Sequence, residues 1–316
     1  MAVKRIWVLM LFIIISLVTA ACSPDNAQRE AYSESNKPYI VATTTMLTDL
    51  TEQIGGEYVI VEGLMGAGID PHLYKPSAGD VAKMNKARLI VYNGLHLEGK
   101  MGELFEQMKM SGISVLAVGE GIDKTKLLES EEFDGNYDPH IWFDVQLWIM
   151  AAEQVKTALI ALDPEHKAQY EQNTDAYLNK LKSLDNYIKV QAQRVPEQSR
   201  VLITAHDAFS YFGRAYGFEV KGLQGISTAS EAGTADVKEL AEFIVKNKIA
   251  AVFVETSVPK KTIEALQEAV NARGYQVGIG GELFSDSLGE RGTAAGGYIG
   301  TIEHNINTIV QALAVQ

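Results

Sequence analysis

The stretch Glu165–Val195, EHKAQYEQNTDAYLNKLKSLDNYIKVQAQRV, follows Asp163-Pro164 and contains neither glycine nor proline. Within it Tyr170, Tyr177, Leu181, Leu184 and Ile188 recur at the spacing of a helix with one buried stripe. A helix of about 30 residues, rising about 1.5 Å each, is a rod of roughly 45 Å. It falls near the middle of the chain, which predicts a rigid spine joining two lobes. A peripheral surface helix is the other reading.

On both sides of the spine, short β-rich runs alternate with helical stretches. Before it, strands are predicted over Tyr39–Thr43, Tyr58–Glu62, Leu89–Tyr92 and Ser114–Val118. Helices are predicted over Met46–Ile54, Gly79–Lys86, Lys100–Met110 and Val145–Leu162. After it, the predicted strands are Arg200–Ala205, Phe218–Leu223, Ala250–Glu255 and Tyr275–Gly280. The helices there are Asp207–Tyr216, Ala235–Asn247, Lys260–Arg273 and Tyr298–Ala314. This alternation predicts the α/β class, with two α/β lobes of mostly parallel sheet joined by one long rigid helix. The boundaries are 38–163 for the N-terminal lobe, 164–195 for the linking helix and 196–316 for the C-terminal lobe. Ligands of such sheets sit at the C-terminal ends of strands, in the cleft.

The chain has 316 residues, 28 Lys+Arg against 40 Asp+Glu, and one cysteine. A net charge of -12 argues against a nucleic-acid binder, because no basic excess is available to neutralise phosphates. One cysteine excludes an intramolecular disulfide framework and any cysteine-rich zinc or iron–sulfur site. Lys4 and Arg5 precede an apolar run, Ile6–Val18, that is short for a membrane span and has the size of a signal-peptide core. Thr19-Ala20-Ala21-Cys22 follows and resembles a bacterial lipobox, with Thr19 where Leu is usual. Residues 1–21 are therefore expected to be a lipoprotein signal peptide, Cys22 the lipid attachment point and 22–37 a polar, flexible tether. Loss of Lys4 and Arg5 with the leader makes the mature chain two charges more acidic.

Four of the six histidines lie in loops or at strand ends, where function concentrates: His72, His96, His140 and His206. His166 and His304 sit in helical, polar surroundings and read as surface residues. Asp70-Pro71-His72-Leu73-Tyr74 and Asp138-Pro139-His140-Ile141-Trp142 share one pattern, Asp-Pro-His-aliphatic-aromatic. Proline fixes φ ahead of the histidine, so the imidazole leaves the backbone in a defined direction. The aromatic can pack beneath the ring, and a carboxylate can accept its second N–H and fix the tautomer. In the second lobe, His206 follows the strand Val201–Ala205. Asp286 lies just beyond Gly280-Gly281-Glu282-Leu283, where glycines permit close approach. Three imidazoles and one carboxylate from two lobes make a complete coordination sphere.

These stretches, with Asn93-Gly94-Leu95-His96-Leu97-Glu98-Gly99, Thr204-Ala205-His206-Asp207-Ala208-Phe209 and Phe284-Ser285-Asp286-Ser287-Leu288-Gly289, carry a resemblance over essentially the whole mature chain. The sequence resembles the metal-binding lipoproteins of bacterial manganese and zinc ABC importers, the cluster A-I or TroA-like solute-binding family. The resemblance implies one divalent ion buried between two lobes, held by His72 and His140 from the first and by His206 and Asp286 from the second. It places His96 near the site but off the metal, and Glu255 in a supporting role. It also implies a lipid-anchored, extracytoplasmic, monomeric carrier that delivers its ion to an ABC permease, without bond-breaking. In the family, many manganese-type members have Glu where His206 stands, and His occurs in zinc-type and mixed members. Manganese-type surroundings of His206 and Asp286, and the absence of a His-rich loop between His72 and His140, nevertheless favour Mn(II) as cargo, with Zn(II) the competitor. Neutral imidazole is the ligand form, so acidification should release the ion. A zinc-dependent hydrolase is the rival class, but it would keep a coordination position for water. A surface adhesin is a third reading, with no sequence feature to distinguish it.

Overall fold

The computed structural model describes residues 37–130 and 137–314. The expected signal peptide, Cys22 and almost all of the tether lie outside them, as does most of the acidic stretch between Glu129 and Asp138. From Pro38 onward the chain is one compact unit.

The first lobe is built on four parallel strands, β1 (Tyr39–Ala42), β2 (Ile60–Gly63), β3 (Leu89–Tyr92) and β4 (Ser114–Ala117), in the order β2-β1-β3-β4. All four residues of β1 are buried, as a central parallel strand covered on both faces requires. The helices α1 (Thr45–Gly55), α2 (Ala78–Lys86) and α3 (Gly102–Met110) return the chain between strands. Thr44 caps α1 by accepting the Leu47 N–H, and Ser77 with Asp80 forms a capping box on α2. These caps fix the loop ends from which the site is built.

After β4 the chain reaches a single turn at Ile141–Phe143 and then α4 (Val145–Leu162). Next comes the spine, α5 (Lys167–Ala192). It is shorter than its sequence run because Pro164–His166 forms a separate 3-10 turn and the helix closes at Gln193. Its buried residues, Tyr170, Thr174, Tyr177, Leu181, Leu184, Asp185, Ile188 and Ala192, include every member of the predicted stripe.

The second lobe holds two parallel pairs: β5 (Val201–His206) with β6 (Glu219–Gln224), and β7 (Ala251–Glu255) with β8 (Gly278–Leu283). β5 lies beside β7. Helices α6 (Ser210–Tyr216), α7 (Thr234–Asn247), α8 (Lys261–Asn271) and α9 (Tyr298–Leu313) complete it. Most bounds fall within one or two residues of expectation, and the larger shifts lie near the site. β8 starts and ends three residues later than the predicted Tyr275–Gly280, because it pairs with β7 through Leu283. The register slips between Val252 and Phe253, and Gly281 takes φ 140, a conformation that glycine adopts without strain. His206 is the last residue of β5, not the first beyond it, and α6 begins only at Ser210 because Ala208 N–H turns back onto the His206 carbonyl.

The spine carries both lobes. α5 packs against α1 and α4 of the first lobe and α9 of the second. One apolar cluster runs from Ile40 and Leu47 through Trp148, Tyr177 and Leu181 to Phe209, Tyr298 and Ile309. The buried Asp185 on α5 accepts hydrogen bonds from Gln146, Lys189 and Tyr216, tying α4 and α6 to the same helix. α4 is long and apolar enough to cross a membrane by composition, but its apolar face is spent on this core. Leu181→Ala should therefore lower unfolding free energy by about 2–5 kcal/mol, whereas Lys182→Ala on the exposed face should stay within about 0.5 kcal/mol of the parent. Urea unfolding followed by circular dichroism measures both.

Candidate metal centre

His72 and His140 arrive on the same device. In each Asp-Pro-His, the aspartate Oδ1 accepts the histidine backbone N–H, at 2.8 Å for Asp70–His72 and 2.9 Å for Asp138–His140. The carboxylate thus closes an Asx-type turn around the proline and aims the next side chain. Beyond that the two copies diverge. Asp138 Oδ1 also meets His140 Nδ1 at 2.7 Å, and Trp142 stands edge-on to the ring at 5.2 Å between centroids. This is the ring-fixing arrangement read from the sequence, and it directs Nε2 into the cleft. Asp70 instead sends its second oxygen to the hydroxyl of Thr228, 2.6 Å away in the other lobe. Tyr74 turns aside to Asp80 and is not stacked on His72.

From the second lobe, β5 delivers His206 and the loop after β8 delivers Asp286. Glu255, at the end of β7, uses Oε1 to accept the N–H groups of Ala205 and His206 and Oε2 to meet His206 Nδ1 at 2.6 Å. One carboxylate therefore joins two neighbouring strands and sets the imidazole. Ser257 reaches Asp286 Oδ2 at 3.4 Å.

The donor atoms of His72, His140, His206 and Asp286 all lie within 4.8 Å of one another, and all four residues are buried. Among the described residues this is the one such cluster of potential metal donors. His72 Nε2 and His140 Nε2 are 3.3 Å apart, His206 Nε2 and Asp286 Oδ2 3.3 Å, and His140 Nε2 and Asp286 Oδ1 3.6 Å. Two imidazole nitrogens bound to one ion at about 2.0–2.1 Å in tetrahedral geometry lie about 3.3–3.4 Å apart, which the His72–His140 pair matches, while Asp286 turns a different oxygen to each of the other two histidines. His206 Nε2 and Asp286 Oδ1 are buried without a hydrogen-bond partner. Such atoms are costly unless something else occupies them.

His96 stands apart: it is exposed, at φ 66 next to Leu95 at φ 53, in a loop beside Glu120 and Tyr137. His166 pairs with Asp163, and His304 with the Glu282 carbonyl. Sequence reading missed Glu98. This buried carboxylate accepts from Thr43 Oγ1 and from the N–H groups of Asn93 and Gly94, and Asn93 in turn holds the Pro139 carbonyl. Glu98 thereby supports the second Asp-Pro-His from beneath. A charged residue inside an otherwise apolar run after Asn93-Gly94 was the available signal.

Comparison with known proteins gives a consistent picture. The family model described as zinc-uptake complex component A, periplasmic, matches residues 40–312. The zinc-binding protein TroA of Treponema pallidum is 51% identical over 278 residues, covering 88% of this chain and 89% of that protein. The manganese-binding lipoprotein MntA of Bacillus subtilis is 44% identical over 292 residues, covering 92% and 94%. The solved structure of the Treponema protein superposes with a TM-score of 0.86 over 88% of this chain and 99% of that one.

The charges in the cleft are coupled. Burial drives His72 down to about 3, so its ring is neutral near physiological pH. Burial also works against a charged His206, but Asp286 and Glu255 outweigh it and hold that imidazole well above its usual value. Burial would raise Asp286, yet the three histidines, His206 foremost, keep it ionised. An ion binding to His206 Nε2 must therefore displace a proton. Affinity should rise with pH up to the raised His206 value and fall by about tenfold per pH unit below it. Calorimetric titration near neutral pH, in buffers of different ionisation enthalpy, should show about one proton released per ion. Glu255→Gln should reduce that number.

Proposed function

The chain belongs to the zinc-uptake component A family of metal-binding solute-binding proteins of ABC importers, and from that premise we propose that it captures one Mn(II) ion and hands it to a membrane permease. The observation carrying this reading is the convergence of His72, His140, His206 and Asp286, two from each lobe, on one buried point. The four are the proposed ligands. Glu255 and Asp138 bind the far nitrogens of two imidazoles and keep the near nitrogens free for the ion.

Capture and delivery, not catalysis, is what this site performs. A hydrolytic zinc site keeps three protein ligands and a position for water, whereas four protein donors close the sphere here. The relatives carry names of binding proteins, not of enzymes.

Both oxygens of Asp286 face imidazole nitrogens, Oδ1 toward His140 and Oδ2 toward His206. A bidentate carboxylate would give five donors, which suits Mn(II) and its preference for oxygen ligands. Zn(II) is the second reading, favoured by a set of three imidazoles and one carboxylate, which suits tetrahedral zinc, and by the name of the Treponema relative. Lipid attachment at Cys22 would hold the protein at the extracytoplasmic face of the membrane, next to the permease. Several relatives are named lipoproteins, which supports this. The shared core along α5 favours lobes that rock slightly and do not swing on a hinge.

Alanine at His72, His140, His206 or Asp286 should each weaken Mn(II) and Zn(II) binding by more than about 100-fold, beyond the loss usual for outer partners of a metal site. His166→Ala and His304→Ala should bind as the parent does. Calorimetry reads all six, and parent-like binding by His206→Ala would remove the second lobe's proposed contribution. Elemental analysis of protein from its native host, with Mn/Zn competition titration, decides the cargo. Zinc alone in the native protein, undisplaced by excess manganese, would select the second reading.

A further inference from the structure

The two Asp-Pro-His segments are held in unlike ways, and the difference points to a route for the ion. The second is cemented between the lobes. Tyr211 donates to the Asp138 carbonyl, Tyr298 donates to the Trp142 carbonyl, and Trp142 Nε1 donates to the Ser285 carbonyl. Phe143 stacks on Phe209 with centroids 4.2 Å apart. The first belongs to a segment, residues 64–77 between β2 and α2, without regular secondary structure. Ile69 and Leu73, on either side of Asp70-Pro71-His72, are 40% and 44% exposed. His72 itself is 6% exposed, while His140 and His206 are at 0% and Asp286 at 1%. Among the described residues no carboxylate backs the His72 ring, whereas Asp138 and Glu255 back the other two.

Two hydrogen bonds hold this segment against the second lobe. Gly68 N–H donates to Ser287 Oγ at 2.8 Å, and Thr228 Oγ1 donates to Asp70 Oδ2 at 2.6 Å. Thr228 lies in the irregular stretch between β6 and α7, far in sequence from every proposed ligand. Asp70 is the coupling element: its Oδ1 holds the backbone of His72 and its Oδ2 holds the opposite lobe. Breaking the second bond frees the turn that aims the histidine, with no metal donor altered.

We infer that Asp70 and Thr228 are positioning residues forming a clasp that closes the His72 segment over the ion and sets how fast the ion leaves. This rests on the metal-carrier reading above. The clasp acts on release because it is made only when the segment has closed onto the second lobe. Capture, which begins with the segment open, depends on it little.

The experiment is stopped-flow release of bound Zn(II), and separately Mn(II), from the full mature chain into excess chelator. Thr228→Val keeps the shape and removes the donor, leaving Asp70 Oδ2 unpaired. Release should accelerate roughly tenfold, in keeping with loss of a hydrogen bond to a charged group. The association rate should change by less than about twofold. Thr228→Ser, which retains the hydroxyl, should restore slow release, and the metal-free Thr228→Val protein should melt at the parent temperature. Release at the parent rate from Thr228→Val overturns the clasp. So does equally fast release from Thr228→Ser, which would assign the effect to loop packing. A parent protein that binds neither ion overturns the carrier reading itself, and the clasp with it.

Discussion

The structure turns on burying an ionised carboxylate among three imidazoles. Asp286 at 1% exposure and His206 at 0% cannot draw on water for solvation, and an isolated buried charge would cost several kcal/mol or change its protonation. Their mutual attraction offsets part of that, and Glu255 behind His206 supplies a second negative charge. The buried carboxylates Asp286, Glu255 and Asp138 all face imidazole nitrogens of this pocket. A divalent cation adds positive charge beside them where a neutral solute would not. The acidic surface of the whole chain attracts cations broadly, but this arrangement is what holds one.

Such an arrangement demands a scaffold that does not relax around it. Each proposed ligand comes from the C-terminal end of a parallel strand or from the loop that follows, the position this class of sheet offers to ligands. The fully buried central strand β1 and one apolar cluster crossing both lobes along α5 keep those ends in register. Two lobes with separate cores could swing apart on a linker. Here separation would expose Tyr298, Phe209 and Trp148, so wide opening is expensive and small displacements remain the accessible motion.

Much of this was legible in the sequence, and the reasons are local. The stripe of α5 repeats at helical spacing, so burial follows directly. Leu89–Tyr92 and Val145–Leu162 match their predicted bounds because sharp signals flank them: Asn93-Gly94 after the strand, and capping Asp144 and Asp163-Pro164 around the helix. Where glycine blurs the pattern the reading slipped, as in β8, whose Gly278-Ile279-Gly280-Gly281 start looks more like a turn than a strand. The repeated Asp-Pro-His, the strand before His206 and the glycine-flanked stretch before Asp286 marked four candidate donors, which the family resemblance then joined in one site. Glu98, the double use of Glu255, and Thr228 on Asp70 were not legible. Each depends on which strand or loop lies opposite, and a single sequence does not carry that.

The paired Asp-Pro-His motifs make this point in its sharpest form. Identical residues make the same aspartate-to-histidine turn bond, and the first oxygen of each aspartate does the same work on the backbone. The second oxygen differs: Asp138 Oδ2 is buried without a partner, while Asp70 Oδ2 crosses to the other lobe. Asp138 can afford to keep its bonding within the turn because aromatic packing already fixes His140 from both lobes. Asp70 has no such packing, so the closure of its segment depends on a bond that can be made and broken. A carrier needs ligands of both kinds, some fixed to define the site and one free enough to let the ion through. The surroundings of the motif, not its residues, decide which copy serves which end.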